Sequence, residues 1–228
     1  MNESEDIKMD ILETMKARHS VRQYKNQAIE SSKREKINAL IKDVNAESKL
    51  SIQVFYDEPK CFDSFMAHYG KFENVKNYIA IVGNKNDQEK AGYYGEKIVL
   101  KCQKLGLNTC WVAMTHGKSK AQIKRGQKLL IIISLGYGET QGVPHKSKSI
   151  AELGQADQKN EWFEKGMEAV SLAPTAVNQQ KFYFELKNGI VTAKNLGGFY
   201  SRIDLGIVKY HFEAVTGHEV KQCRTLLS

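Results

Sequence analysis

The sequence predicts an α+β fold, and three observations carry that prediction. Helical stripes and short strands follow one another without the regular βαβ rhythm of a parallel sheet. Asn188-Gly189 marks a two-residue turn between two short strands, which makes an antiparallel hairpin. Parts of the second half also echo the first.

The elements follow in order along the 228 residues. A first helix is expected over Asp6–Ala17, with Ile7, Ile11, Leu12 and Met15 on one face. A polar, basic loop, Arg18–Asn26, comes next. Ser31 or Ser32 can cap a second helix that runs to about Asn45. Leu50–Tyr56 reads as a strand, and Pro59–Lys71 as irregular chain or short helix. Asn77–Gly83 is a buried strand, since Ile79, Ala80, Ile81 and Val82 are contiguous and apolar. The strongest helix is Asp87–Leu105, where Ala91, Tyr94, Ile98, Cys102 and Leu105 form a stripe that Gly106 stops in a left-handed conformation. Asn108–Met114 is a short strand. Leu129–Tyr137, with Ile131, Ile132 and Ile133, is the most apolar strand and is expected at the centre. Gly136–Ser149 is a loop, Asn160–Leu172 a helix, Lys181–Leu186 and Ile190–Ala193 the hairpin, and Ser201–Thr216 the last helix.

The echo has two offsets. At 130 residues Ile37 falls on Met167, Ala39 on Ala169, Ala46 on Ala176, Ile52 on Phe182 and Val54 on Phe184. At 111 residues Gly95 falls on Gly206 and Gly106 on Gly217. The offsets differ by 19, so a second copy would lack a segment of that size. Any two amphipathic helices can be slid into register, which is the competing explanation. If the repeat holds, one chain imitates a two-fold dimer.

Composition removes several classes of function. Apolar residues are 41% and charged residues 26%, which excludes a largely disordered chain. No apolar run approaches the roughly 20 residues that span a bilayer, and Met1–Asp10 has no signal-peptide core. Cys61, Cys102, Cys110 and Cys223 form no CxxC and no metal-ligand spacing, so no metal and a reducing, cytoplasmic setting are expected. No HxxxH, Ser/His/Asp pattern, P-loop or GxGxxG appears. The net charge of +8 leaves nucleic acid, an anionic membrane surface, a phosphate-bearing cofactor, or no specific partner.

Two segments have chemistry in them. Arg18-His19-Ser20-Val21-Arg22 places two guanidiniums and a hydroxyl within five residues, enough to fork onto a phosphate and an adjacent polar edge. It also reads as a solvated basic loop. Ser171-Leu172-Ala173-Pro174-Thr175-Ala176-Val177-Asn178-Gln179-Gln180 lets a flat ligand approach the backbone, with donors and acceptors from Thr175 and Asn178. It reads equally as an ordinary helix-to-strand connection.

Taken in order, an N-terminal helix ending in Arg-His-Ser-x-Arg, a helix followed by Gly106-Leu107-Asn108-Thr109-Cys110-Trp111, a strand ending Leu135-Gly136-Tyr137 and the triplet Lys146-Ser147-Lys148 resemble the nitroreductase family of flavin enzymes. The resemblance covers nearly the whole chain, Ile7–Gly217. It implies a central, mainly antiparallel sheet flanked by helices, FMN as cofactor, and a site shared by two subunits. The first-half position of the partner-subunit segment reads Val44-Asn45-Ala46-Glu47-Ser48 and lacks the family pattern, whereas Ala173–Gln180 keeps it. The chain is therefore similar to the tandem, single-chain branch described as "putative TM nitroreductases". Residues 1–153 would form the first half and 154–228 a shortened second half, together one compact pseudo-dimeric monomer open to further association.

Carried over residue by residue, the resemblance implies that Arg18 holds the FMN phosphate with Lys146 and Lys148. His19 and Ser20 would touch the phosphate and ribityl chain, and Arg22 the pyrimidine edge. Pro174, Thr175, Ala176 and Asn178 would pack on the ring. Ala113 and Met114 would offer backbone to the N5 region, where many members have Gly. Gly70 and Lys71 would lie near the flavin, and Glu96 stands where members carry Gln or a similar residue. No arginine occurs in Gly154–Lys159, and Ile207 stands where Glu96 would repeat, so one FMN per chain is expected. The implied activity is electron transfer from NAD(P)H through flavin N5 to a nitroaromatic, quinone or related acceptor in a ping-pong cycle. No protein nucleophile is needed, and Arg22 would stabilise the anionic reduced flavin. The rival readings are a flavin-storage protein without turnover and a basic nucleic-acid-binding module. Against the second, Lys and Arg are spread along the chain without a nucleic-acid motif.

Overall fold

The computed structural model describes residues 10–222. The fold is α+β: antiparallel strands make the main sheet, helices pack on it, and a second sheet follows. The first half contains α1 (Ile11–Ala17), α2 (Ser31–Ser48), β1 (Ser51–Phe55), α3 (Phe65–Tyr69), β2 (Asn77–Gly83), α4 (Gln88–Lys104), β3 (Asn108–Val112), β4 (Lys128–Gly136) and α5 (Ile150–Leu153). The second half contains β5 (Gly154–Ala156), α6 (Glu161–Ser171), β6 (Phe182–Lys187), β7 (Ile190–Asn195), α7 (Ser201–Thr216) and β8 (Val220–Gln222). Among the described residues no helix is long and apolar enough to cross a membrane.

The first sheet has the order β1-β2-β4-β3, all antiparallel. Its inner strands are the two most apolar runs. β2 is buried along its length, and β4 is buried from Leu130 onward. A strand covered on both faces needs no polar alternation, which is why these two read as continuous apolar runs. The second sheet has the order β5-β6-β7-β8. Its centre is the β6–β7 hairpin, turned by Asn188 (φ 52°) and Gly189 (φ 74°) as that dipeptide requires. β5 and β8 add as parallel edges.

Several boundaries differ from the sequence expectation, each for a local reason. The start of the first helix at Asp6 and its residue Ile7 lie outside the described residues, as does Cys223. Neither Ser31 nor Ser32 caps α2. Glu30 is the N-cap residue, without a side-chain cap bond, and Ser31 is already helical. α2 also runs three residues past Asn45, because Asn45 bonds both backbone groups of Ile52 and ties the helix end to β1. Met114 lies beyond β3. α5, β5 and β8 were not expected at all; each is a single turn or three residues, too short for a periodic signal.

α4 and α7 cross at the heart of the molecule. A Cβ on Gly92 would collide with the Ile203 carbonyl oxygen, and one on Gly206 with the Glu89 carbonyl oxygen. The crossing is reciprocal: exchanging Gly92 with Gly206 and Glu89 with Ile203 exchanges the two contacts. That equivalence is an offset of 114 residues, three away from the 111 that aligns Gly95 with Gly206 in sequence. Three residues is nearly one helical turn, so both registers put glycine on a similar face, and sequence alone does not separate them. Gly95 in fact packs against the Trp111 ring.

Candidate functional site

A cleft of about 480 Å³ opens between the two halves of the chain. Ser20, Arg22, Gly70, Lys71, Ala113 and Met114 line it from the first half. Pro174, Thr175, Ala176 and Val177 line it from the second, with Tyr200 and Asp204 at the start of α7.

The first wall is set by the Arg18–Tyr24 loop. Its backbone runs beside β3, with Ser20 bridged to Thr109 and the Val21 N–H donating to the Thr109 carbonyl (3.1 Å). The Tyr24 hydroxyl, fully buried, donates to the Val21 carbonyl (2.7 Å) and meets the Ser134 hydroxyl (2.7 Å). This anchoring points Ser20 and Arg22 outward to the cleft. The Arg22 guanidinium lies 6.0 Å from the centre of the Phe72 ring.

The second wall is strained. Val177 (φ 46°), Asn178 (φ 54°) and Gln180 (φ 46°) are all left-handed, and Val177 is β-branched, the residue class least suited to that region. Such strain persists only where the surroundings over-determine it. Asp204 does much of this: its carboxylate accepts the Ala176 N–H (2.9 Å) and the Gln179 side-chain amide (2.7 Å). Burial pushes the Asp204 carboxyl up to about 6, against these two bonds, which lower it. The Thr175 hydroxyl accepts the Gln180 N–H (3.1 Å), which closes the turn. The result is an exposed, flat apolar edge with Val177 83% exposed. The Tyr200 hydroxyl donates to the Ala113 carbonyl (3.3 Å) and joins the two walls.

One end of the site is strongly cationic and buried. Arg18 is only 2% exposed, and its Nε and Nη1 have no hydrogen-bond partner. Nε lies 3.9 Å from a Glu96 carboxylate oxygen, beyond hydrogen-bond distance. Burial lowers the pKa of His19, and the positive charge of Arg18 lowers it further; burial likewise lowers His145, with Arg18 and His19 adding to it. Lys146 and Lys148 are exposed on a loop sewn to the strained wall. The Lys146 carbonyl accepts the Asn178 (2.9 Å) and Gln180 (3.0 Å) side-chain amides, and Lys148 Nζ donates to the Gln180 carbonyl (3.2 Å).

The expected site residues therefore divide. Ser20, Arg22, Ala113, Met114, Pro174, Thr175 and Ala176 share the cleft, with Gly70 and Lys71. Arg18, His19, Lys146, Lys148 and Asn178 do not line it. Arg18 and His19 continue directly from Ser20, and Asn178 ties the lysine loop to the cleft wall. Glu96 is fully buried under Arg18, where it accepts from Trp111 Nε1 (3.0 Å) and meets His211 Nε2 (3.0 Å). Sequence reasoning missed Tyr69, Phe199, Tyr200 and Asp204 in the cleft and His211 beneath it. Asp204 and His211 did leave a signal, as polar residues on the otherwise apolar face of α7 that carries Val208 and Phe212.

The Glu96 carboxylate lies near Arg18 as a counter-charge, but the two buried nitrogens without hydrogen-bond partners call for a further acceptor, since leaving a buried donor unsatisfied costs about 1–3 kcal/mol or more. A flat, partly apolar cleft beside them suits a planar ring carrying a phosphate tail. The residues present thus fit flavin mononucleotide.

The family model described as "Putative TM nitroreductase" matches residues 10–216. Among solved structures, a putative nitroreductase from Thermotoga maritima is 24% identical, with 95% of this chain and 90% of that chain covered at a TM-score of 0.70. A putative nitroreductase from Desulfovibrio desulfuricans, solved in complex with FMN, is 15% identical, with 62% of this chain and 93% of that chain covered at a TM-score of 0.50. These likenesses are of fold. No curated protein matches the chain.

Proposed function

The chain belongs to the family described as "Putative TM nitroreductase", and on that premise we propose that it is an FMN-dependent oxidoreductase. It would take electrons from NAD(P)H and pass them to a nitroaromatic, quinone or related acceptor. The observation that carries this reading is the buried Arg18, with two guanidinium nitrogens that lack hydrogen-bond partners, at the start of the loop whose Ser20 and Arg22 line the cleft.

When bound, FMN supplies the two-electron redox chemistry. Arg18 would hold the phosphate through Nε and Nη1, with Lys146 and Lys148 adding positive charge around it and His19 offering a ring nitrogen. Ser20 would meet the ribityl chain. Pro174, Thr175 and Ala176 would support one region of the ring on a turn that Asp204 has already fixed, so little ordering is left to do on binding. Arg22 places an exposed cation at the cleft wall, near the Phe72 ring. A positive charge there would stabilise negative charge as it develops on reduction. The Tyr200–Ala113 bond holds the backbone beside Met114, past whose side chain the ring contact would be made. Tyr69 and Phe199, both exposed at the cleft, favour planar aromatic acceptors by stacking.

The test begins with the purified protein. A yellow sample that releases FMN on denaturation and oxidises NAD(P)H in the presence of a nitroaromatic or quinone is expected. Arg18→Ala should lose the cofactor. A protein that takes up no FMN, or an Arg18→Ala variant with unchanged FMN affinity, sinks the reading. FMN uptake without turnover instead marks a flavin-storage protein.

A further inference from the structure

We propose that Glu96 and His211 are positioning residues that set how strongly Arg18 engages the cofactor phosphate. This inference rests on the FMN reading above. Arg18, Glu96 and His211 come from the first loop, α4 and α7, and Glu96 and His211 are completely buried. Glu96 has two oxygens and three candidate donors. Oε2 accepts from Trp111 Nε1 (3.0 Å). Oε1 takes His211 Nε2 at 3.0 Å, while Arg18 Nε stays at 3.9 Å from the same oxygen.

The other ring nitrogen of His211, Nδ1, lies 2.8 Å from the Ala169 carbonyl oxygen. A carbonyl only accepts, so Nδ1 carries a hydrogen. The contact between Nε2 and Glu96 then needs a second proton between ring and carboxyl, because two lone pairs at 3.0 Å would repel. Burial raises the Glu96 pKa, but the His211 bond, its charge and that of Arg18 outweigh this and leave it lowered. With that single proton between them, on either partner, ring and carboxyl together carry no net charge. Glu96 and His211 form a net-neutral pair, which Arg18 meets by charge alone, 3.9 Å from Oε1 and without a hydrogen bond.

Arg18 is thereby left as a buried cation with unfilled donors, which a phosphate dianion satisfies. Without that shared proton, Glu96 would claim the guanidinium as its only counter-ion, and phosphate would have to compete. The second half of the chain would thus control phosphate binding in the first half without touching the ligand.

The two residues should act with opposite signs, which a packing role cannot produce. The readout is the riboflavin-to-FMN Kd ratio of the full-length apoprotein, measured by flavin fluorescence quenching. Riboflavin lacks only the phosphate. His211→Gln keeps a donor to Glu96 but no charge, and should lower the ratio about tenfold, equivalent to about 1.4 kcal/mol. Glu96→Gln, nearly isosteric, should raise it, and the double variant should follow Glu96→Gln. Equal losses for both ligands in both variants, or an unchanged ratio in Glu96→Gln, overturns the proposal. If His211→Gln does not fold, the Glu96→Gln ratio decides alone. A wild-type protein that binds riboflavin as tightly as FMN overturns the FMN reading instead.

Discussion

Asp204 makes the strained wall, and its energetics can be measured apart from catalysis. The carboxyl lies almost wholly buried at the start of α7, and burial holds its pKa at about 6 against an ordinary 3.8. The folded pKa is raised, so the contribution to stability is fully present below about 3.8 and is lost as pH rises through about 6. At 1.36 kcal/mol per pKa unit, ionising Asp204 in the folded protein costs about 3 kcal/mol at pH 8. Asp204→Asn removes that titration. The substitution also disturbs the bond to Gln179, but that cost does not vary with pH. Urea unfolding of both apoproteins from pH 4 to pH 8 isolates the effect as the change in their stability difference. The variant should gain on wild type by about 2 kcal/mol across this range, half of it by about pH 5 and nearly all of it by about pH 6. A stability difference that is flat with pH would refute the claim that Asp204 is buried and costly to ionise.

Gly206→Ala drives a methyl into the Glu89 carbonyl, which belongs to a helix backbone and cannot yield as a side chain would. A loss of about 1–3 kcal/mol or more is expected from denaturant midpoints, and a variant as stable as wild type would mean that α4 and α7 do not cross this closely. Arg22→Ala should leave FMN affinity within a few-fold while slowing flavin reduction by NAD(P)H on the order of tenfold or more; in stopped-flow traces an unchanged reduction rate removes Arg22 from the electrostatic role.

The legible parts of the chain were those with long periods. α4 showed its stripe over about four turns, and β2 and β4 their unbroken apolar runs, because burial of those faces is dictated by composition alone. The Arg18–Arg22 loop and the Pro174–Ala176 segment stood out for unusual chemistry in short compass. What stayed hidden depends on contacts between distant residues. Asp204 gains its meaning from Ala176 and Gln179, and His211 from Glu96, 115 positions away. The left-handed Val177 was equally unreadable, since a β-branched residue argues against that conformation until the surrounding bonds are seen. In the first half, Val44–Ser48 lacks the family pattern, and the structure shows it as the end of α2, so no ligand-facing loop exists there.

That last point bears on stoichiometry. The α4–α7 crossing is reciprocal, but the groups around it are not. Under the offset of 114 that the crossing obeys, Glu96 corresponds to Tyr210. Arg18 has no counterpart among Gly154–Lys159, where Gly154–Ala156 is taken up as β5 beside β6. The mirror position therefore lacks the cation, the carboxylate beneath it and the strained wall, which in the first half is replaced by helix. A phosphate there would find no counterpart of Arg18 among the described residues, and the nearby buried Lys209 is already paired with Glu89. Titration of the apoprotein with FMN should end at one equivalent per chain. An endpoint at two would show that helix symmetry, rather than the asymmetric charges of Arg18 and Glu96, decides where the cofactor binds.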